Sequence, residues 1–331
     1  MACDGKPHLQ LGPAQGMSSN PDVSVVMSVY NGASHLAGTL DSILSQEGVA
    51  LEFIVVDDGS TDDTVKILDD YAQRDVRVRV IHQMNTGLTR ALIRGCAAAR
   101  GEFIARQDAD DISLPGRLAL QLDVLRNNLN VVMASCGTRF IGPGNEWLYE
   151  VRQAGDELHR GLQSIDRVRG PSSHTSTMFQ RQAFEQVGGY RAQFKVAQDL
   201  DLWMRLSEVG ICWATPEVLC ERRLSRRSIS ATRKAEQLCA TRLLVRCAAA
   251  RRSGQDDSQL VTRFTRRERW RKMFYWSPQR LQEARFYYFI GSLLRQHQPE
   301  RAKLYFWRAV SAWLAYPKAW WRFLETSKSE L

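Results

Sequence analysis

Nothing in the 331 residues approaches the run of about eighteen consecutive apolar residues that a membrane-spanning helix requires. No C-x-x-C pair occurs among the seven cysteines (Cys3, Cys96, Cys136, Cys212, Cys220, Cys239 and Cys247), and the count is odd. A disulfide framework and a structural zinc site are therefore disfavoured, and incidental thiols in a reducing compartment are expected. Residues 1–20 lack a basic start followed by an apolar core, so they read as a disordered polar tail and not as a secretory signal. Met17, just ahead of the first apolar run, is an alternative start to Met1. No convincing repeat period is present.

What is present is an ordinary globular composition, 44% hydrophobic, with an uneven charge. The net charge of +9 combines an acidic front and a basic back. Residues 1–221 carry 20 Lys and Arg against 28 Asp and Glu, whereas residues 222–331 carry 25 against 8. Such asymmetry predicts that the back half meets something anionic.

Short β-rich runs alternate with helical patterns in the front half. Residues 23–29 form a strand ending at the turn Tyr30-Asn31-Gly32, and Leu36, Leu40, Ile43 and Leu44 then recur at helical spacing. Residues 51–56 form a second strand. Ser60-Thr61-Asp62-Asp63 offers caps for a helix carrying Val65, Ile67, Leu68 and Tyr71. Residues 76–81 and 103–105 supply two more strands, separated by a helix through Ala91 and Leu92. This βαβαβαβ order predicts an α/β, doubly wound, mostly parallel sheet. Further on, Val131 to Ser135 and Phe140-Ile141 read as strands flanking a Gly-rich turn. A helix through Leu200 to Leu206 follows, and then a strand from Val209 to Trp213. From about Ser230 the pattern turns helical, with Ala302, Tyr305, Phe306, Ala309, Val310, Trp313 and Leu314 on one apolar face.

Two aspartate clusters follow strands directly: Asp57-Asp58-Gly59-Ser60 and Asp108-Ala109-Asp110-Asp111. Ligands of such sheets bind beyond the carboxyl ends of the strands. Carboxylates gathered there need a cation or hydrogen-bond donors, and a divalent metal carrying a diphosphate meets that need.

The ordered segments VSVVMSVYNG (23–32), FIVVDDGSTDDT (53–64), NTGL (85–88), ARGEFIARQDADD (99–111), VGGYR (187–191) and QDLDLWMRL (198–206) resemble family-2 glycosyltransferases with a GT-A fold. The resemblance spans roughly residues 21–230, leaving 231–331 as a basic, aromatic-rich helical C-terminal region. It implies an inverting transfer from a nucleotide-diphosphate sugar, a UDP-sugar being favoured, to a glycan or lipid-linked acceptor. It implies that Asp58 accepts from the base while Ser28 and Tyr30 line the base pocket, with Asn85 and Arg90 also on the donor side. Asp110 would carry Mg²⁺ or Mn²⁺, with Asp108 at the ribose or the metal. Asp111 either supports that site or caps the next helix.

Asp199 would be the general base, while Asp201, about 200° away around the helix, would be structural. Four residues are candidates for acceptor or phosphate contact: His174, Trp203, Arg205 and Arg223. Trp203 otherwise belongs to the core, and Arg205 otherwise pairs with Asp201 at i,i+4.

Two departures stand out. An Arg that relatives carry after the NTGL-type motif is Leu92 in this chain, with Arg90 and Arg94 nearby. A Tyr-Arg-x-His stretch is replaced by Arg222-Arg223-Leu224-Ser225, without the His, so Arg223, Arg226 or Arg227 would take its place and carry more of the diphosphate charge. These departures keep open a non-catalytic sugar-nucleotide-binding or scaffold protein that acts through its basic C-terminal region. A nucleotidyltransferase is disfavoured, because SVYNGASHL stands where a Gly-rich, basic phosphate loop would be.

The tail, holding six of nine tryptophans, interleaves Trp270, Phe274, Tyr275, Trp276, Trp320 and Trp321 with arginines. Such a tail suits an anionic membrane surface or a packed appendage better than nucleic acid. The expected location is cytoplasmic, peripheral at the inner face of the membrane.

Overall fold

In the computed structural model the described residues are 20–226, 233–271 and 279–328, excluding the side chains of 234, 235, 265–271, 327 and 328. All but the last residue of the expected N-terminal tail (1–20) and the side chains of the cluster from Trp270 to Trp276 lie outside them.

Four strands lie parallel in the order β3-β2-β1-β4: Val23–Val29 (β1), Leu51–Asp57 (β2), Val78–His82 (β3) and Phe103–Asp108 (β4). Helices Ala33–Leu44 (α1), Thr64–Arg74 (α2) and Leu88–Ala97 (α3) connect them. β2 is buried along its whole length and β1 at all but Ser28, as strands covered on both faces by helices must be. The register sets Val29 beside Asp57, Asp57 beside His82, and Ser28 beside Asp108. All four strands therefore end at one edge, and both aspartate clusters begin there.

Beyond β4 the sheet becomes mixed. After Ile112–Ser113 (β5) and helix Arg117–Asn127 (α4) come Val131–Ile141 (β6), Trp147–Val151 (β7), Thr177–Gln180 (β8) and Ile211–Arg223 (β9). β8 is antiparallel to both β4 and β6, whereas β6 and β9 run parallel. β5 pairs with β9, and β7 forms a hairpin with β6, giving nine strands. Helices Glu157–Gln163 (α5), Arg181–Gln186 (α6) and Gln198–Leu206 (α7) fill the connections.

Three local expectations are corrected. Gly137 does not make a turn: β6 continues through it in pairing with β9, and a Cβ there would lie 3.0 Å from the Glu217 carbonyl oxygen, so glycine suits this close approach. The last strand begins at Ile211 and runs thirteen residues, past Pro216, to Arg223. The Ser60–Asp63 stretch does not cap α2 through its N-cap side chain. Asp62 accepts instead from the Thr64 and Ala33 N–H groups, and Ser60 Oγ accepts from the Asn31 N–H.

The described residues of the C-terminal region include five helices: Lys234–Arg252 (α8), Ser258–Arg271 (α9), Gln279–Leu294 (α10), Pro299–Ala312 (α11) and Pro317–Lys328 (α12). Ala240, Leu243, Leu244, Cys247 and Val261 of α8 and α9 share one core with Leu202 and Trp203 of α7. Asp201 and Asp257 both grip Arg191, and Arg251 bridges Asp257 to Glu208, so ion pairs reinforce that join. α10 and α11 pack against the β6–β7 hairpin through Phe140, Leu148, Ile290 and Phe306, and Tyr305 donates to Glu146 (2.9 Å). The expected apolar face of α11 is shorter than its sequence spacing implied. The helix stops at Ala312, and Leu314 stands 71% exposed.

At the opposite edge of the sheet, Glu52 is buried and accepts from Ser24 Oγ (2.7 Å), the Arg100 N–H (2.8 Å) and Arg79 (2.7 Å). Burial raises the pKa of this carboxyl, but these donors overcome it and hold it below the ordinary value. A depressed carboxylate stabilises the fold above its unfolded pKa, near 4.5, and loses that contribution as pH falls through the folded value. Glu52→Gln is expected to lower the melting temperature at neutral pH, with the difference from wild type narrowing below about pH 4.5 in a series of thermal melts.

Candidate active site

The first half of the site is a set of interlocked turns. Asn31 takes a left-handed φ of 52°, and its Oδ1 accepts from the Thr61 N–H (2.8 Å). The turn after β1 is thereby tied to the turn after β2. Asp58 is buried and uses both oxygens on the loop after β3. Oδ1 accepts from Gln83 Nε2 (2.7 Å) and the Thr86 N–H (2.8 Å), and Oδ2 from the Gly87 N–H (2.8 Å). Arg94 donates to Gln83 (3.1 Å), extending the chain into α3. Gly59 (φ 79°) is required at this point, since a Cβ there would lie 2.8 Å from the Asn85 nitrogen.

The second half is a group of four carboxylates. Asp108 ion-pairs with Arg106, a fully buried side chain of β4 that also donates to the Val26 carbonyl (3.1 Å). Asp111 is buried, accepting from Thr175 Oγ1 (2.6 Å) and the Arg223 N–H (3.2 Å). Asp110 is half-buried and has no ion pair among the described residues. Burial and the neighbouring Asp108 charge push its pKa up to about 6, against the opposing pull of Arg222 and Arg223. Burial raises Asp111 as well, with Asp108 and Asp110 adding to it.

The fourth carboxylate, Asp199, sits in the first turn of α7. It follows Ala197, a non-glycine residue held at a left-handed φ of 56°. Its Oδ1 accepts from the adjacent Leu200 N–H (2.8 Å), and Oδ2 has no partner among the described residues. Burial raises its pKa, Arg222 opposes the rise, and the Asp108 charge adds to it.

Arg222 was not singled out from the sequence, yet its charge acts on Asp108, Asp110, Asp111, Asp199 and His174 together. At the end of β9 it lies beside Phe140 in register, its guanidinium 5.9 Å from that ring, and Tyr149 stacks on the same ring at 4.6 Å. Arg106 was also overlooked. Its signal was a cation inside a strand otherwise buried on both faces, a position that demands a partner.

The other candidates are distributed as follows. Ser28 is half-buried beside Asp108, while Tyr30, Asn85 and Arg90 are exposed near the same edge. Leu92 is core. His174 is buried, its Nε2 2.7 Å from the Tyr190 hydroxyl and its ring edge-on to Trp203, and burial holds its pKa well down. Trp203 is buried beneath it. Arg205 is committed to Asp201 (2.7 Å) and the Gly189 carbonyl (2.7 Å), so of its two possible roles the i,i+4 pair is the one present. The Arg223 side chain turns to the hairpin, donating to Asn145 (2.5 Å), with its charge still felt at Asp110. Among the described residues no three His, Cys, Asp or Glu side chains are grouped to hold a metal.

A mostly parallel, curled sheet carrying carboxylates at its carboxyl edge defines the GT-A glycosyltransferase fold. Solved structures agree. The chain superposes on TarS 1–349 of S. aureus with UDP (TM-score 0.55, 15% identity, 93% of this chain and 91% of that one). It also superposes on the mannosyltransferase PcManGT of Pyrobaculum calidifontis with GDP-Man and Mn²⁺ (TM-score 0.54, 19% identity, 95% and 82%). The family profile "Glycosyl transferase family 2" matches residues 24–188. The chain is 34% identical over 203 residues to the putative glycosyltransferase EpsE of Bacillus subtilis, covering 59% of this chain and 69% of that protein. It is 29% identical to Escherichia coli chondroitin synthase over 57% of this chain, though only 27% of that much longer protein. The chain belongs to glycosyl transferase family 2, and it is an enzyme.

Gly59→Ala tests the interlocked turns. The new Cβ strains the backbone and drives against Asn85, and affinity for the donor nucleotide is expected to fall about tenfold or more by calorimetry, with the fold retained.

Proposed function

We propose that the protein is an inverting glycosyltransferase that uses a nucleotide-diphosphate sugar, with Asp199 as the general base. The observation that carries this reading is the position of Asp199. It is a carboxylate with raised pKa and one unengaged oxygen, within electrostatic reach of Asp108 and Arg222. A base with pKa raised toward neutrality takes a proton more effectively than an ordinary carboxylate. Asp199 would remove the proton from an acceptor hydroxyl as its oxygen bonds to the anomeric carbon. The bond from that carbon to the diphosphate breaks at the same time, and the nucleotide diphosphate leaves.

The leaving group is an anion entering an acidic site, so its charge needs cations. Arg222 supplies one from a fixed position against Phe140. Asp110, half-buried, unpaired and crowded by Asp108, suits a divalent cation that arrives with the diphosphate better than a ready-made metal cage. Asp110 and Asp108 would hold Mg²⁺ or Mn²⁺, whose chemistry is to neutralise developing phosphate charge. The turns around Asn31, Asp58 and Asn85 would receive the base and ribose, with Ser28, Tyr30 and Arg90 along their rim. UDP and UDP-GlcNAc bound to TarS and GDP-Man bound to PcManGT support a nucleotide-sugar donor, with UDP favoured. The acceptor would be a glycan or lipid-linked intermediate of surface polysaccharide assembly.

Asp199→Asn is expected to leave donor binding intact while lowering kcat by about 10² to 10⁴. Equal turnover by that variant would remove Asp199 from the role of base. Wild-type kcat/KM should fall on the acid side at a pH above the ordinary carboxylate range near 4. Arg222→Gln should reduce kcat about a hundredfold and move that acid limb to higher pH, because the cation that lowers the Asp199 pKa is gone.

A further inference from the structure

The C-terminal helices carry more apolar surface than the core uses. On α11, Ala302, Tyr305, Phe306, Ala309 and Val310 are buried in the contacts with its neighbouring helices and the β6–β7 hairpin. On its outward side, one turn apart, Leu304 and Trp307 remain 47% and 48% exposed. On α12, Trp320 and Leu324 are one turn apart at 36% and 54%, and Trp321 beside them is 68% exposed. Leu314, between the two helices, is the most exposed of this group at 71%. The Trp307 ring touches Phe323 of α12 at 5.3 Å, so the stripes on the two helices border one seam. A solvent-facing stripe of this kind, continuing across two helices, marks an interaction surface.

The charge around the patch selects the partner. Residues 299–328 hold six Lys and Arg (Arg301, Lys303, Arg308, Lys318, Arg322 and Lys328) against two Glu. Exposed tryptophans have an apolar body and a polar edge, and long cationic side chains reach from an apolar boundary to phosphate headgroups. No helix of the described residues is long and apolar enough to cross a membrane, so contact of this kind would lie along the surface.

We propose that the face formed by Leu304, Trp307, Leu314, Trp320, Trp321 and Leu324 docks the enzyme onto an anionic lipid surface. Arg226, four residues after Arg222, pairs with Glu283 and covers Tyr287 of α10 (5.5 Å), and Tyr287 in turn packs against Ala309 and Val310 on the inner side of α11. Docking would therefore hold the site near the bilayer, where a lipid-linked acceptor presents its sugar. The lipid contact itself does not depend on the identity of the donor.

The test uses the full-length protein with vesicles of phosphatidylcholine alone, or of phosphatidylcholine with phosphatidylglycerol, read by sedimentation and by tryptophan emission. Wild type is expected to sediment with the anionic vesicles and to shift its emission to the blue, with added salt weakening both effects. The double variant Trp321→Glu with Leu324→Glu, altered only at exposed positions, should bind at least about tenfold more weakly. Its melting temperature and its stabilisation by donor nucleotide should remain those of wild type.

Three outcomes would overturn the proposal. The first is wild type that binds neither vesicle, and the second is a double variant that binds as well as wild type. The third is a lipid-free oligomer, seen by light scattering, that the double variant abolishes, which would make a second copy the occupant. Since donor stabilisation is measured on the same samples, loss of lipid binding with donor binding intact leaves the transferase reading standing.

Discussion

The structure is organised around the confinement of like charge. Asp108, Asp110, Asp111 and Asp199 meet at the carboxyl edge of one sheet; the Asp108 charge raises the pKa of the other three, and Asp110 adds to the rise at Asp111. Buried carboxylates at such density are unstable unless cations or donors compensate them. Arg106 answers from below, through the sheet; Thr175 and the Arg223 backbone answer at Asp111; and Arg222 acts on all four from the end of β9. Among the described residues, Asp110 lacks an ion pair and one oxygen of Asp199 lacks a partner. These are the positions where a cation-bearing diphosphate and an acceptor proton would be accommodated.

Much of the surrounding architecture serves to hold those charges in place. Parallel pairing of β1, β2 and β4 aligns the strand ends, and the β6–β9 pair, which Gly137 lets approach closely at Glu217, carries Arg222 back to the same edge. The left-handed Ala197 turns α7 so that its first residues face the site while Asp201 points into the Arg191–Arg205 network. That network in turn ties the C-terminal helices to α7 through Asp257.

Local patterns made the first four strands and three helices legible in the sequence, because an apolar run between turn residues in a βαβ order has few alternatives. The GT-A fold and family membership followed from the ordered motifs. The mixed half of the sheet was less legible. Its pairings are non-local, so Gly137 read as a turn when its real neighbour is Glu217, eighty residues away in the chain. Similarly, Arg205 carried two readings until its distance from the Gly189 carbonyl was known. Arg222 was hidden in a run of arginines, where only the register with Phe140 distinguishes it from the others.

The central claim is that this charge arrangement recognises a diphosphate. The most direct measurement compares the thermal stability of the purified protein with nucleosides, nucleoside monophosphates and nucleoside diphosphates of each base, with and without Mn²⁺. A ligand that binds only the folded state raises the melting temperature, by an amount that grows with the logarithm of its concentration relative to Kd. The account predicts a shift for the diphosphate of one base, enlarged by Mn²⁺, and little for its monophosphate. Equal shifts for monophosphate and diphosphate, or none from a well-folded sample, would contradict it.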